Sequence, residues 1–180
     1  MTKRIFKKGD QKVLKAWAFY DWANSVYPLV ISTAIFPIFY GSLFIESDYI
    51  EFLGINYKNT ALIQHITSLV FLFLALFLPI LSGVADFLGN KKFFMKLFCY
   101  LGSISCMGLY FFNLENIYLG LGFYFLALFS FWASLVFYNS YLPDIALPKQ
   151  QDRISALGYS YGYIGSVILL LFNLTIVMFH

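Results

Sequence analysis

Charge is what this sequence has least of. Only 12% of its 180 residues are Asp, Glu, Lys or Arg, against about 25% in ordinary soluble domains. A disordered chain, a nucleic-acid binder and a normal cytosolic enzyme all need more. Histidine and cysteine are nearly absent too, with two of each. Cys99 and Cys106 stand seven residues apart, about 10 Å along a helix, which is too far for a disulfide. His65 and His180 are isolated, with no Cys or Glu-x-x-His spacing nearby. No metal site, cofactor site, nucleophile elbow, Walker loop or dinucleotide fingerprint is expected.

What is abundant is apolar surface. Hydrophobic residues make up 61% of the chain and aromatics 22%, and the mean hydropathy is +0.75. These residues come in long blocks. They do not alternate with polar ones over short segments, as an outer-membrane barrel would require. Five blocks stand out: Ala16 to Ile45, Thr60 to Ala85, Phe93 to Phe112, Asn116 to Leu142 and Ile154 to Phe179. Each reaches the ~20 residues a helix needs to cross ~30 Å of hydrocarbon. A helix satisfies its own backbone polar groups, which a lipid-exposed strand cannot do. The expected fold is therefore all-α and polytopic, with a basic tail over residues 1–15 and a helical bundle over 16–180.

The basic residues set the orientation. Lys3, Arg4, Lys7, Lys8, Lys12 and Lys15 precede the first block. Lys91, Lys92 and Lys96 lie around the start of the third, and Lys149 and Arg153 join the fourth to the fifth. The alternate connections hold only Lys58, beside Glu46, Asp48, Glu51 and Glu115. This bias places the N-terminus in the cytosol and the end of the fifth block outside. The first apolar run is too long for a cleavable signal peptide. The sequon-like Asn173-Leu174-Thr175 lies within the fifth block and is expected to be inert.

Polar groups inside a membrane are costly, so their positions carry information. Asp21, Asn24, Ser25, Pro28 and Ser32 follow helical spacing and share one stripe. Pro28 and Pro37 leave the carbonyls of Asn24 and Thr33 without their usual donors. Such a span can line an aqueous path. It can also simply let Asp21, about one and a half turns from the cytosolic end, meet headgroups or water. Gln64, Ser68, Ala75, Ser82 and Asp86 form a second stripe, with Leu and Phe opposite. Tyr138 and Asn139 can bond a solute or a neighbouring helix. Gly158, Gly162 and Gly165 permit close helix packing, and Tyr159 and Tyr163 are spaced to face a cavity.

The connection Ser82-Gly83-Val84-Ala85-Asp86-Phe87-Leu88-Gly89-Asn90-Lys91-Lys92 combines a helix-ending carboxylate, a turn glycine and two lysines. It resembles the loop between the second and third helices of the major facilitator superfamily, Gly-x-Leu-Ala-Asp-Arg-x-Gly-Arg-Lys-Lys. Val84, Ala85, Asp86, Gly89, Lys91 and Lys92 fit that pattern, whereas Ser82, Phe87 and Asn90 depart from it. Trp17-Ala18-Phe19-Tyr20-Asp21-Trp22-Ala23-Asn24-Ser25 is similar to the first-helix signature of the vacuolar amino-acid effluxer-like branch. Asn139-Ser140-Tyr141-Leu142-Pro143-Asp144-Ile145-Ala146 and Arg153-Ile154-Ser155-Ala156-Leu157-Gly158 resemble the same branch further along.

The resemblance implies a twelve-helix secondary transporter of two halves, of which these five spans are an N-terminal part. Its partners would be the bilayer, a small solute such as an amino acid, protons as the coupling ion, and the missing C-terminal half. A chain of five spans alone would not transport. Asp21, Asn24, Ser25, Tyr138, Asn139 and Tyr159 would line the solute path. Asp86, Gly89, Lys91, Asp144 and Arg153 would belong to a cytosolic gate. Asp21, as the carboxylate inside a span, is the first choice for proton coupling. The setting implied is a bacterial cytoplasmic membrane. Two other readings are a non-transporting membrane subunit that packs through the fifth-span glycines, and a membrane-embedded lipid enzyme using Asp144 and Asp152.

Overall fold

A computed structural model describes residues 7–45 and 47–179. Lys3, Arg4, Glu46 and His180, named above, lie outside the described residues. Among the described residues, five helices are long and apolar enough to cross a membrane: Gln11–Ser42, Asn59–Leu88, Lys91–Phe111, Ile117–Ile145 and Pro148–Phe179. Each covers all or nearly all of one of the five apolar blocks, and all five run past it at one end or both.

The first helix has three parts. These are α1 (Gln11–Asn24), a π-helical segment (Tyr27–Ile35) and α2 (Phe36–Ser42). It begins five residues before its apolar block because Asp10 caps it, accepting a hydrogen bond from the Lys12 amide at 2.8 Å. The last five residues of the basic stretch expected over residues 1–15 are thus helical. In the π-helical segment the backbone bonds span five residues, as from the Phe36 amide to the Ile31 carbonyl. The Thr33 hydroxyl donates to the Pro28 carbonyl, also five residues back, at 2.6 Å. Pro28 is the second residue of this segment and Pro37 follows it by two residues.

Next comes a hairpin that the all-α expectation missed, β1 (Tyr49–Phe52) and β2 (Ile55–Lys58), paired antiparallel. Helix α3 (Asn59–Leu88) follows directly. It ends at Gly89, whose φ of 60° is the left-handed conformation that closes a helix. The Asn90 amide bonds to the Ala85 carbonyl and the Gly89 amide to that of Asp86, so both strands of a Schellman cap are in place. Helix α4 (Lys91–Gly108) runs into a short 3₁₀ turn (Leu109–Phe111), and α5 (Ile117–Ile145) and α6 (Pro148–Phe179) complete the chain.

The connection between α5 and α6 is only Ala146-Leu147, which corrects the longer basic loop expected there. Pro143 sits in the last turn of α5, where its missing amide costs one terminal bond. Pro148 opens α6 at the position where a helix tolerates proline best. The Gln150 side chain accepts from the Leu147 amide at 3.0 Å and completes the start of α6. Asp144 is thus helical, as are Lys149, Asp152 and Arg153.

The chain divides into two units, with boundaries at Phe36/Pro37 and Tyr138/Asn139. In the first, α1 buries Leu14, Trp17, Ala18 and Asp21, which share one face. Helix α6 buries Ile154, Gly158, Gly162, Gly165 and Ser166 against it. The two helices start from a common corner. There the Gly9 amide, at a φ of 90°, donates to the Ile145 carbonyl at 2.7 Å. They then run parallel.

In the second unit the core is aromatic. Phe94 and Phe98 of α4 stack on Phe137 of α5, with ring centroids 5.3 and 5.9 Å apart. Phe73 of α3 meets Phe125 edge-on at 5.5 Å. Gly102 faces Ser130, so α4 and α5 approach closely there. Tyr40 donates to the Asn59 carbonyl at 3.0 Å and ties α2 to the start of α3. The two cysteines of α4 are free thiols.

Candidate solute pathway and helix-end gate

The centre of the first unit is a carboxylate set against a glycine. Asp21 is 4% exposed. It stands ten residues beyond the start of α1, about 15 Å along the axis. That is nearly three turns from the helix start, and still about one and a half from the start of the apolar block at Ala16. Its side chain is hydrogen-bonded to Ser25, one turn on, and the Ser25 amide closes the same turn by donating to the Asp21 carbonyl at 2.9 Å. Across from them lies Gly162. A β-carbon there would sit 2.8 Å from Asp21 Oδ2 and would also strike Ser25. Three residues on, a β-carbon at Gly165 would stand 2.8 Å from the Trp22 carbonyl oxygen and 2.9 Å from its ring. The glycines therefore let α6 close over the polar stripe of α1.

The structure brings together only some of the residues expected along a path. Asp21 and Ser25 are joined, and Asn24 is half-buried beside them. Tyr138 is buried while Asn139, the next residue, is exposed, so the two do not make one polar patch. Tyr159 is 59% exposed, although it stands only one turn before Gly162 on α6. Tyr163 is exposed as well. On α3, Gln64, Ser68, Ala75 and Asp86 are exposed while Leu62, Val70, Leu74 and Ala85 are buried. That polar stripe therefore looks away from the packed face. Ala75 and Ser82 border a groove of about 520 Å³ that also touches Pro79, Leu74 and Trp132.

At the far end of α3 three of the expected gate residues form one small device. Asp86 Oδ1 lies 3.2 Å from Lys91 Nζ. The pair straddles Gly89, whose left-handed turn reverses the chain between the last turn of α3 and the first of α4. A pair with one partner in solvent adds little to stability, about 0–1 kcal/mol, so its contribution is to hold a turn in register. Asp144 and Arg153 belong to the other unit, on the exposed sides of α5 and α6. Among the described residues, no three His, Cys, Asp or Glu side chains gather as metal ligands would.

Gly9 was not legible as part of any site. It reads as one more residue of a basic tail, yet a β-carbon on it would lie 3.1 Å from Gln150 Oε1 and 3.2 Å from Leu147. The signal available was Gly9-Asp10 ahead of Gln11-Lys12, a turn followed by an N-cap.

Five membrane-length apolar helices among the described residues, one with a buried carboxylate, define an integral, polytopic α-helical membrane protein. The sequence profile described as vacuole effluxer Atg22 like matches residues 9–180, and the chain belongs to that family. It is 35% identical over 179 residues to an uncharacterized MFS-type transporter, YxiO, of Bacillus subtilis (strain 168), a match that covers 99% of this chain and 39% of the relative. It is 31% identical over 174 residues to an uncharacterized protein of Aquifex aeolicus (strain VF5), over 96% of this chain and 40% of that protein. The chain thus spans about two fifths of the length of these curated relatives. No solved structure matches it. The superfamily and branch suggested by the Asp21 and Asp86 segments are those found.

Proposed function

We propose that the chain forms part of a secondary transporter that moves a small solute, an amino acid in the first instance, by alternating access. Carriage of a solute across a membrane is what the family and the name of the Bacillus relative support. The observation within this chain that supports it most is Asp21. A carboxylate inside a spanning helix, shielded by an opposing helix, is costly to keep in a membrane and is retained where it binds or relays charge. Asp21, Asn24 and Ser25 line the path in this reading, with Tyr138, Asn139 and Tyr159 as further contacts, and Asp21 carries the coupling proton. Asp86, Gly89, Lys91, Asp144 and Arg153 serve the cytosolic gate. The N-terminus faces the cytosol of a bacterial cell, and a further bundle of helices supplies the opposing wall.

The π-helical segment starts two residues after Ser25. Short π-helical stretches inside α-helices often mark functional positions, and a register change here lets the far half of the span turn without moving α1. The test is uptake of radiolabelled amino acids into proteoliposomes that carry the full product of the gene. Saturable accumulation driven by an imposed pH gradient is expected. A full-length, folded product that moves none of the twenty amino acids with the pH gradient imposed in either direction would refute the solute class.

A further inference from the structure

The hairpin between α2 and α3 is amphipathic by register. Tyr49 pairs with Lys58 and Glu51 with Asn56, so these four share one face. Ile50 pairs with Tyr57 and Phe52 with Ile55 on the other. The second face lies against helix ends. Phe52 stacks on Tyr118 of α5 with centroids 5.0 Å apart, and Tyr57 meets His65 of α3 edge-on at 5.7 Å. The Tyr118 hydroxyl also accepts a hydrogen bond from the Leu53 amide at 3.3 Å.

The tip is the unexpected part. Leu53 and Gly54 both have positive φ, 53° and 75°, as in the tight turn that favours Asn-Gly. Leucine is a poor choice for that conformation, and in this turn its side chain is 73% exposed. Ile55 beside it is 55% exposed. In water this arrangement carries backbone strain and gains no burial. Its level on the helices explains it. Tyr118 stands in the first turn of α5, where the apolar block begins, and is itself exposed together with Leu119. Exposed tyrosines at the end of a spanning helix mark the boundary between headgroups and hydrocarbon.

We propose that the β1–β2 hairpin is an interfacial anchor, with Leu53 and Ile55 inserted among the lipids beside Tyr118 and the face of Glu51, Asn56 and Lys58 turned to water. The occupant of the exposed tip is lipid because the tip continues the exposed apolar surface of Tyr118 and Leu119, at the end of a membrane-length helix. The polar face opposite supplies the wetted side that an interfacial segment needs.

The test places an environment-sensitive fluorophore at Leu53→Cys or, as control, Asn56→Cys, with Cys99 and Cys106 replaced by serine. The labelled protein is reconstituted in phosphatidylcholine–phosphatidylglycerol vesicles. The expected result is a blue-shifted emission at position 53, quenched by nitroxide-labelled lipid and protected from iodide, with the reverse at position 56. Iodide quenching at 53 equal to that at 56 would show the tip in water. Protection of 53 from both quenchers would show it covered by protein. Either result overturns the proposal.

Discussion

Replacing Gly165 with alanine is expected to destabilise the protein by about 1–3 kcal/mol, the usual cost of forcing a methyl group into a filled interior. The added carbon would stand 2.8 Å from the Trp22 carbonyl oxygen, and a backbone atom cannot rotate away. Helix α1 must shift as a body. Gly162→Ala is expected to cost less. Its two nearest neighbours are Ser25 Oγ and Asp21 Oδ2, which can change rotamer at the expense of their mutual hydrogen bond, leaving Ser25 Cβ at 2.9 Å as the contact that still needs a small shift. Gly122→Ala is the control, because nothing lies within 4 Å of its β-position. A helical Gly-to-Ala change there gains up to about 1 kcal/mol of propensity. Thermal unfolding in one detergent should therefore rank Gly122→Ala at or above the parent, then Gly162→Ala, then Gly165→Ala. Equal stability of all three would mean that α1 and α6 do not meet as described.

The second large effect concerns function. Asp21→Asn keeps the volume of the side chain and its hydrogen bond to Ser25 but cannot release a proton. Uptake driven by a pH gradient should fall on the order of a hundredfold, the scale on which a positioned proton-transfer group acts. Exchange of internal for external solute, which needs no net proton movement, should survive. The contrast between the two assays separates a coupling role from misfolding, which would abolish both. Retention of gradient-driven uptake by Asp21→Asn would remove Asp21 from the proton path and leave it a structural bond to Ser25.

The number of spanning helices could be read directly, because a run of ~20 apolar residues has few alternatives. Their ends could not, because hydropathy marks where lipid begins and not where hydrogen bonding stops. Asp10 and Gln150 each extend a helix start into polar sequence by satisfying its first amides. Pro143 fails to stop α5 because it falls in the final turn. The hairpin was hidden for a different reason. Its alternation covers only four residues a strand, and Leu53-Gly54 lacks the Asn that usually announces such a turn.

For the site, the i, i+4 spacing of Asp21 and Ser25 revealed that they share a face. Nothing local could reveal that Gly162, far along the chain, closes over them, although its spacing from Gly158 marked a packing surface. Pro28 and Pro37 indicated weakened backbone bonding in the first span. That the segment between them adopts five-residue bonding depends on tertiary packing, which no window of sequence contains.

The claim beneath all of this is that five helices thread a bilayer with their lysine-bearing ends in the cytosol. Single cysteines at Lys92→Cys and Asn56→Cys, with Cys99 and Cys106 replaced by serine, test it by labelling whole cells with a membrane-impermeant maleimide. The account predicts labelling at position 56 in intact cells and at position 92 only after the membrane is opened. Labelling of position 92 in intact cells would contradict it.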